Sequence, residues 1–225
     1  MTKSSRKAWI ITLVTIGCLS MAWVDAYLDA NYLTKSIIKV VLFLLLPIGY
    51  SLTDHEVSFK NLFRFTKKHL IISLIIGAGV YAFIIGAYFL IGPYFDFSNV
   101  TKQLQTDIGV NSENFIFVAL YISFANSLLE EFFFRGFAFI TLKKAAGKRF
   151  AYIFSSGAFA FFHIAIMKSW FSTELFILLI AGLFTSGFIF NWLNDKSNNI
   201  YTSWLVHMFA NFAINTVGFM LFGLL

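Results

Sequence analysis

Six polar side chains with the chemistry for hydrolysis lie inside the most apolar stretches of this chain. They are two adjacent carboxylates, a guanidinium, two imidazoles and an amide, namely Glu130, Glu131, Arg135, His163, His207 and Asn211. A charged group at the centre of a membrane segment costs about 3 kcal/mol or more, so each of these residues indicates a function by default. A carboxylate can act as a base toward water, and an imidazole can stabilise an oxyanion or bind a metal. Together these residue types predict a hydrolytic site.

The spacing of the first three residues separates two roles. Glu131 and Arg135 are four residues apart, so on a helix they share a face and are predicted to form an ion pair. Glu130 lies about 100° further around the helix and has no partner in its own segment. An isolated carboxylate in an apolar setting tends to bind a proton, and this tendency suits a general base that works near neutral pH. Glu130 is therefore the predicted base.

The two intramembrane histidines each allow a structural interpretation as well as a functional one. Taken alone, His163 is more typical of a hydrogen-bonded core histidine. His207 and Asn211 share a helix face and, taken alone, are typical of a pair that hydrogen-bonds to a neighbouring helix. The presence of both histidines together with a carboxylate pair favours the functional interpretation.

The composition predicts the scaffold that must position these groups. Of the 225 residues 59% are hydrophobic and only 12% are charged, against roughly 25% charged in soluble proteins. A soluble chain of this size cannot bury so much apolar surface, and the composition also excludes disordered and fibrous classes. The predicted fold class is all-α, a polytopic transmembrane bundle forming a single integral membrane domain over residues 1–225. About seven spans are predicted, at 8–24, 37–52, 70–92, 115–142, 150–167, 175–193 and 201–225.

The net charge of +6 is explained by membrane topology and does not require nucleic acid as a partner. Alternate loops hold twelve basic residues on one side and three, Lys35, Lys102 and Lys168, on the other. The basic side is expected to face the cytoplasm, so the N-terminus is predicted to be cytoplasmic. Lys39, near the start of the second span, is expected to extend its ammonium toward the membrane surface. A single cysteine, Cys18, excludes an internal disulfide.

Helix rise gives an estimate of the depth of each predicted site residue. Glu130 lies about 22 Å along its span, close to the cytoplasmic edge of a ~30 Å core. His207 lies about 10 Å deep from the same edge, in agreement with Glu130. His163 lies about 20 Å deep if its span enters near residue 150, some 10 Å further than the other two. A tilt or a cytoplasmic extension of its helix would remove this disagreement.

Three motifs in this order resemble those of a known membrane protein family. Residues 130–135 fit E-E-x-x-x-R, residues 159–163 fit F-x-x-x-H and residues 207–211 fit H-x-x-x-N. The chain thereby resembles the CPBP (Abi-like) family, which contains type II CAAX prenyl endopeptidases and bacteriocin-processing or self-immunity proteins. The resemblance implies an intramembrane endopeptidase with a motif-bearing core over about 115–225. The N-terminal spans over 8–92 lie outside the motifs.

The resemblance also implies a role for each residue. Glu130 would activate water, and His163 would help to hold that water or a metal. His207 and Asn211 would polarise the scissile carbonyl, and Glu131 with Arg135 would orient the fourth span. A divalent metal such as zinc would be bound by His163, His207 and Glu131. A metal-free site needs only Glu130, the histidines and Asn211, and is slightly favoured.

The resemblance leaves the activity and the substrate open. The implied partners are membrane lipid and a peptide or protein substrate that is lipid-modified or bacteriocin-like, and the implied location is the plasma membrane of a bacterium. One alternative is a non-catalytic self-immunity or scaffold protein with the same fold. Another is a proton-linked carrier, which is disfavoured because the sequence shows no internal repeat and few Gly- or Pro-interrupted spans.

Overall fold

The computed structural model describes residues 1–28, 30–64, 66–167 and 170–225, without the side chains of residues 107 and 108. Within these ranges the chain is helical and forms no strand. The helices are α1 (Lys3–Tyr27), α2 (Tyr32–Thr53), α3 (Lys67–Tyr94), α4 (Ser98–Ile108), α5 (Phe115–Ala146), α6 (Lys148–Met167), α7 (Thr173–Ser197) and α8 (Tyr201–Leu221). All of them except the short α4 are long and apolar enough to cross a membrane. The predicted all-α bundle with seven spans is thus confirmed.

The orientation of this bundle stays a prediction. The cytoplasmic placement of the N-terminus rests on the distribution of basic residues, and Lys168, which enters that distribution, lies outside the described residues.

Helix α2 begins five residues earlier than hydropathy predicts. Asn31 caps it, because the Asn31 side chain accepts a hydrogen bond from the backbone N–H of Thr34 at 2.9 Å. The first turn is polar, so a hydropathy search does not detect it. As a result Lys39 lies two turns inside the helix, where its side chain can reach the bundle interior.

A π-helical turn interrupts α2 at Val41–Leu45, just before Pro47. Proline has no backbone N–H and cannot bond to the carbonyl four residues earlier, so the hydrogen-bonding pattern must change around it. Lys39 and Phe43 precede the proline on one face of α2. Phe43 is fully buried against α5, where its ring stacks on Phe133 with centroids 4.0 Å apart.

Helix α5 forms the centre of the bundle and is the most buried of the seven long helices. Its 32 residues correspond to about 48 Å, well beyond a ~30 Å hydrocarbon core. Two π-helical stretches, Ile122–Asn126 and Glu131–Thr141, lie within it. Such stretches are rare and occur frequently at functional sites.

Helices α6 and α7 approach each other so closely that one position tolerates only glycine. A Cβ atom added to Gly187 on α7 would lie 2.9 Å from the backbone Cα of Ser156 on α6. The contact is reinforced by polar groups, because Asn191 Nδ2 donates to Ser156 Oγ at 3.1 Å and its Oδ1 accepts from Ser155 Oγ at 3.2 Å. Backbone cannot rotate away from a clash as a side chain can, so α6 and α7 would have to separate.

Gly187→Ala is therefore expected to lower the free energy of unfolding by about 1–3 kcal/mol. The matched control is Gly182→Ala on the same helix, where an added Cβ meets no atom within 4 Å. That control should be neutral or gain up to about 1 kcal/mol, because alanine has the higher helix propensity. Thermal unfolding of both variants in detergent is the measurement, and equal melting temperatures would contradict the close approach.

Candidate active site

Glu130 ends the short α-helical turn between the two π-helical stretches of α5, and Glu131 is the first residue of the second stretch. Glu130 is 3% exposed and Glu131 is fully buried. Their side chains leave the helix in different directions. Glu130 faces α2, α6 and α8, whereas Glu131 turns toward Arg135 and the first turns of α8. The adjacent positions therefore serve two separate contact networks.

Glu130 is paired with an ammonium group from a distant helix. Its Oε1 atom accepts from Lys39 Nζ at 2.6 Å and from Asn126 Nδ2 at 2.9 Å. Lys39 Nζ also donates to Asn126 Oδ1 at 2.7 Å, which closes a three-membered polar cluster. The prediction that Lys39 extends to the membrane surface is wrong. Glu130 has no cationic partner in its own segment, as expected, but it is not isolated, because Lys39 of α2 pairs with it. The physical reason is that pairing two buried charges is less costly than leaving one of them alone.

The second oxygen of Glu130 faces both histidines. Glu130 Oε2 lies 3.8 Å from His207 Nε2 and 4.0 Å from His163 Nε2. These separations are too long for direct hydrogen bonds but suit one water molecule that contacts both partners. Three segments that are far apart in the sequence thus bring their polar groups to one place.

The excess depth estimated for His163 has a structural cause. Helix α5 continues to Ala146, and α6 begins two residues later. Because α5 is longer than a membrane core is thick, its connection to α6 can lie beyond the core. His163 is then less deep than an entry point at residue 150 implies, and its side chain reaches the level of Glu130.

Hydrogen bonds at Nδ1 fix the ring orientation of both histidines. His163 Nδ1 lies 2.7 Å from the carbonyl oxygen of Phe159, and His207 Nδ1 lies 3.0 Å from Glu131 Oε1. Carbonyl and carboxylate oxygens only accept, so Nδ1 carries the hydrogen in each ring. A neutral imidazole at either position therefore presents the lone pair of Nε2 toward Glu130.

Glu131 is held by groups from two helices. Its Oε1 atom lies 3.2 Å from Arg135 Nη1 and 3.0 Å from His207 Nδ1. Its Oε2 atom accepts a hydrogen bond from Ser203 Oγ. Ser203, one turn before His207 on α8, is a site residue that the sequence reasoning missed. Its i,i+4 spacing from His207 is the signal that could have revealed it.

Aromatic rings rather than hydrogen bonds surround the Arg135 guanidinium. Arg135 is fully buried, and its charge contact with Glu131 is not an aligned hydrogen bond. Its Cζ atom lies 4.1 Å from the ring centroid of Phe159 and 4.8 Å from that of Phe190. Cations are attracted to aromatic faces, so these rings stabilise the guanidinium. Phe159, the first residue of the second motif, thus packs between Arg135 and both histidines.

Side chains of α8 hydrogen-bond to the backbone of α5 and fix the position of His207. Asn211 Nδ2 donates to the carbonyl of Ile122 at 3.2 Å, inside the first π-helical stretch. Trp204 Nε1 donates to Phe124 O at 3.1 Å, and Asn215 Nδ2 donates to Ala119 O at 3.2 Å. Asn211 is thus one of three α8 side chains that hydrogen-bond to backbone carbonyls of α5. Its role toward an oxyanion stays a prediction.

The residue set suggested for a metal does not converge on one point. Glu131 contacts Nδ1 of His207, whereas Nε2 of the same ring and Nε2 of His163 face Glu130. Across the part of the chain that the structure describes, no group of three or more His, Cys, Asp and Glu side chains is arranged to hold a metal ion.

A comparison with known families agrees with this arrangement. Residues 112–213 match the family described as type II CAAX prenyl endopeptidase, Rce1-like. This match, which covers less than half of the chain, supports a membrane protease of the CPBP family. No curated protein and no solved structure matches the chain significantly.

The matched segment contains all three motifs but not the whole candidate site. It begins at the start of α5 and ends within α8, and it therefore includes Glu130, His163 and His207. Lys39 lies 91 residues before Glu130 and outside the matched segment. The candidate site thus includes a residue from the N-terminal helices.

Arg135→Met is expected to destabilise the protein by about 3–5 kcal/mol, because it leaves Glu131 as a buried charge without a counter-charge. The matched control is Arg149→Met on the exposed first turn of α6, which should change the unfolding free energy by less than about 0.5 kcal/mol. Thermal unfolding in detergent measures both. The double variant Glu131→Gln/Arg135→Met should be more stable than Arg135→Met alone, and a less stable double variant would contradict the pairing.

Proposed function

We propose that this protein is an intramembrane endopeptidase in which Glu130 activates water to hydrolyse a peptide bond near the cytoplasmic face. The single observation that supports this proposal best is the approach of Glu130 Oε2 to Nε2 of His163 and His207 at 4.0 and 3.8 Å. A carboxylate facing two imidazoles from separate helices can activate water for hydrolysis, and packing alone does not require such an arrangement.

The proposed nucleophile is a water molecule between Glu130 Oε2 and the Nε2 atoms of the two histidines. It donates one hydrogen to Glu130 Oε2 and the other to Nε2 of His163, so that an oxygen lone pair remains for the substrate carbonyl carbon. As the C–O bond forms, Glu130 takes the proton from water. When the C–N bond breaks, Glu130 delivers that proton to the leaving amine.

His207 is proposed to stabilise the oxyanion that forms on the carbonyl oxygen. Its Nδ1–H donates to Glu131, so Nε2 can donate only when the ring carries both protons. Glu131 stabilises this imidazolium as the carboxylate does in a hydrolase triad. The second N–H of the Asn211 amide is the other proposed donor.

The remaining features of the proposal concern the whole chain. We propose one integral membrane domain over residues 1–225, with the motif-bearing core at about 115–225, the N-terminal spans at 8–92 and the N-terminus in the cytoplasm of a bacterial cell. The proposed substrates are peptides at the membrane, either with a prenylated CAAX C-terminus or bacteriocin-like. The family supports a peptide substrate but not this choice.

Glu130→Gln is expected to abolish peptide cleavage, with a loss of at least about 10²-fold in kcat, because the amide cannot accept the proton from water. The assay compares a farnesylated peptide ending in a CAAX sequence with the same peptide lacking the lipid, both in detergent. The matched control is Glu113→Gln, the same substitution at an exposed carboxylate, which should keep wild-type kcat.

Normal turnover by Glu130→Gln would remove Glu130 as the base. Purified wild-type protein that cleaves neither peptide, nor any member of an amphipathic peptide library, would favour the non-catalytic immunity or scaffold role. Metal analysis of the same preparations tests whether an ion accompanies activity.

A further inference from the structure

Lys39 is buried in the candidate site although nothing in the three motifs requires it. It lies on α2, is 8% exposed and places Nζ 2.6 Å from Glu130 Oε1 and 2.7 Å from Asn126 Oδ1. The rings of Phe162 and Phe43 flank the ammonium, with centroids 4.8 and 5.4 Å from Nζ. A flexible lysine side chain is therefore held in one place by two hydrogen bonds and two aromatic faces.

With both histidines neutral, the charges of the buried site balance only when Lys39 is counted. The two carboxylates of Glu130 and Glu131 face the two cations of Arg135 and Lys39. Arg135 contacts Glu131, so with neutral histidines and without Lys39 the carboxylate of Glu130 would lie in an apolar setting with no cation beside it. A buried carboxylate in that situation binds a proton and becomes neutral. A protonated Glu130 cannot accept a proton from water.

Lys39 also determines which oxygen of Glu130 is available. The ammonium can only donate, so Asn126 must turn Oδ1 toward Lys39 and Nδ2 toward Glu130. Both donors then bind the same oxygen, Oε1. The other oxygen, Oε2, is left facing Nε2 of His163 and His207.

We propose that Lys39 is a positioning residue that keeps Glu130 ionised and, through Asn126, reserves Oε2 as the basic oxygen of the site. This proposal rests on the proposed function only for its effect on turnover. The pairing of Lys39 with Glu130 can be tested without any substrate.

The kinetic test compares Lys39→Met with Lys39→Arg. Lys39→Met removes the charge but keeps a flexible apolar stem, and it should lower kcat on the cleaved peptide by at least about tenfold with little change in KM. Lys39→Arg keeps the charge and should recover part of the lost kcat. The matched control is Lys35→Met, one turn earlier on the same helix and partly exposed, which should keep wild-type kcat.

The spectroscopic test measures the charge state of Glu130 directly. Infrared spectra of Lys39→Met at neutral pH should show the C=O stretching band of a protonated carboxyl group that is weaker or absent in wild type. The band should disappear in Lys39→Met/Glu130→Gln, which assigns it to Glu130. A merely structural lysine would produce no such band.

Stability provides a third readout in case Lys39→Met folds poorly. Lys39→Met leaves a buried carboxylate without its cation, and Glu130→Gln leaves the ammonium without its anion, so each should lower the melting temperature. The double variant should lose less than the sum of the two. Wild-type kcat in Lys39→Met, no new carboxyl band, or additive losses would each overturn the proposal. If the wild-type protein cleaves no peptide, the infrared and melting results still show whether Lys39 pairs with Glu130. The proposed endopeptidase activity and the proposed role of Lys39 can therefore fail separately.

Discussion

Every charge buried in the centre of this bundle requires an opposite charge beside it. In a low-dielectric interior an uncompensated ion costs several kcal/mol, and this cost exceeds what most packing contacts contribute. Glu131 meets the requirement within its own helix through Arg135, whereas Glu130 meets it through Lys39 of α2. The second pair connects the first half of the chain to the second. The position of α2 beside α5 is therefore an electrostatic requirement as well as a packing result.

Hydrogen bonds on the side of each histidine ring away from Glu130 determine which ring atom faces Glu130. Phe159 and Glu131 each occupy Nδ1 of one histidine, so both rings must turn Nε2 toward Glu130. Asn211 and its neighbours on α8 bond to carbonyls of α5, including one in a π-helical stretch. These contacts hold Glu130 Oε2 and the two Nε2 atoms at separations that suit a water molecule. The geometry around Glu130 thus depends on groups that bond to the far side of the histidines and to the backbone of α5.

The sequence predicts those features that depend on local composition and spacing. Seven apolar stretches identify the spans, and the i,i+4 pair of Glu131 and Arg135 is correctly expected to form within one helix. The motifs also predict that Glu130, His163 and His207 meet. Hydropathy cannot predict the pairing of Lys39 with Glu130, because it scores a lysine in an apolar stretch only as a cost and its partner lies 91 residues away. The position of His163 level with Glu130 was missed because the depth estimate started α6 at the membrane edge and left out the continuation of α5 to Ala146.

The order of Lys39 and Glu130 along the chain has a consequence for biogenesis. A ribosome completes α2 well before it reaches α5, so the lysine emerges when its carboxylate partner has not yet been synthesised. Lys39 lies in the first half of α2, where a lone lysine costs up to about 3 kcal/mol in an inserting helix. Pairing with Glu130 offsets this cost only after α5 has been synthesised, so the full stability of α2 in the membrane depends on the arrival of α5.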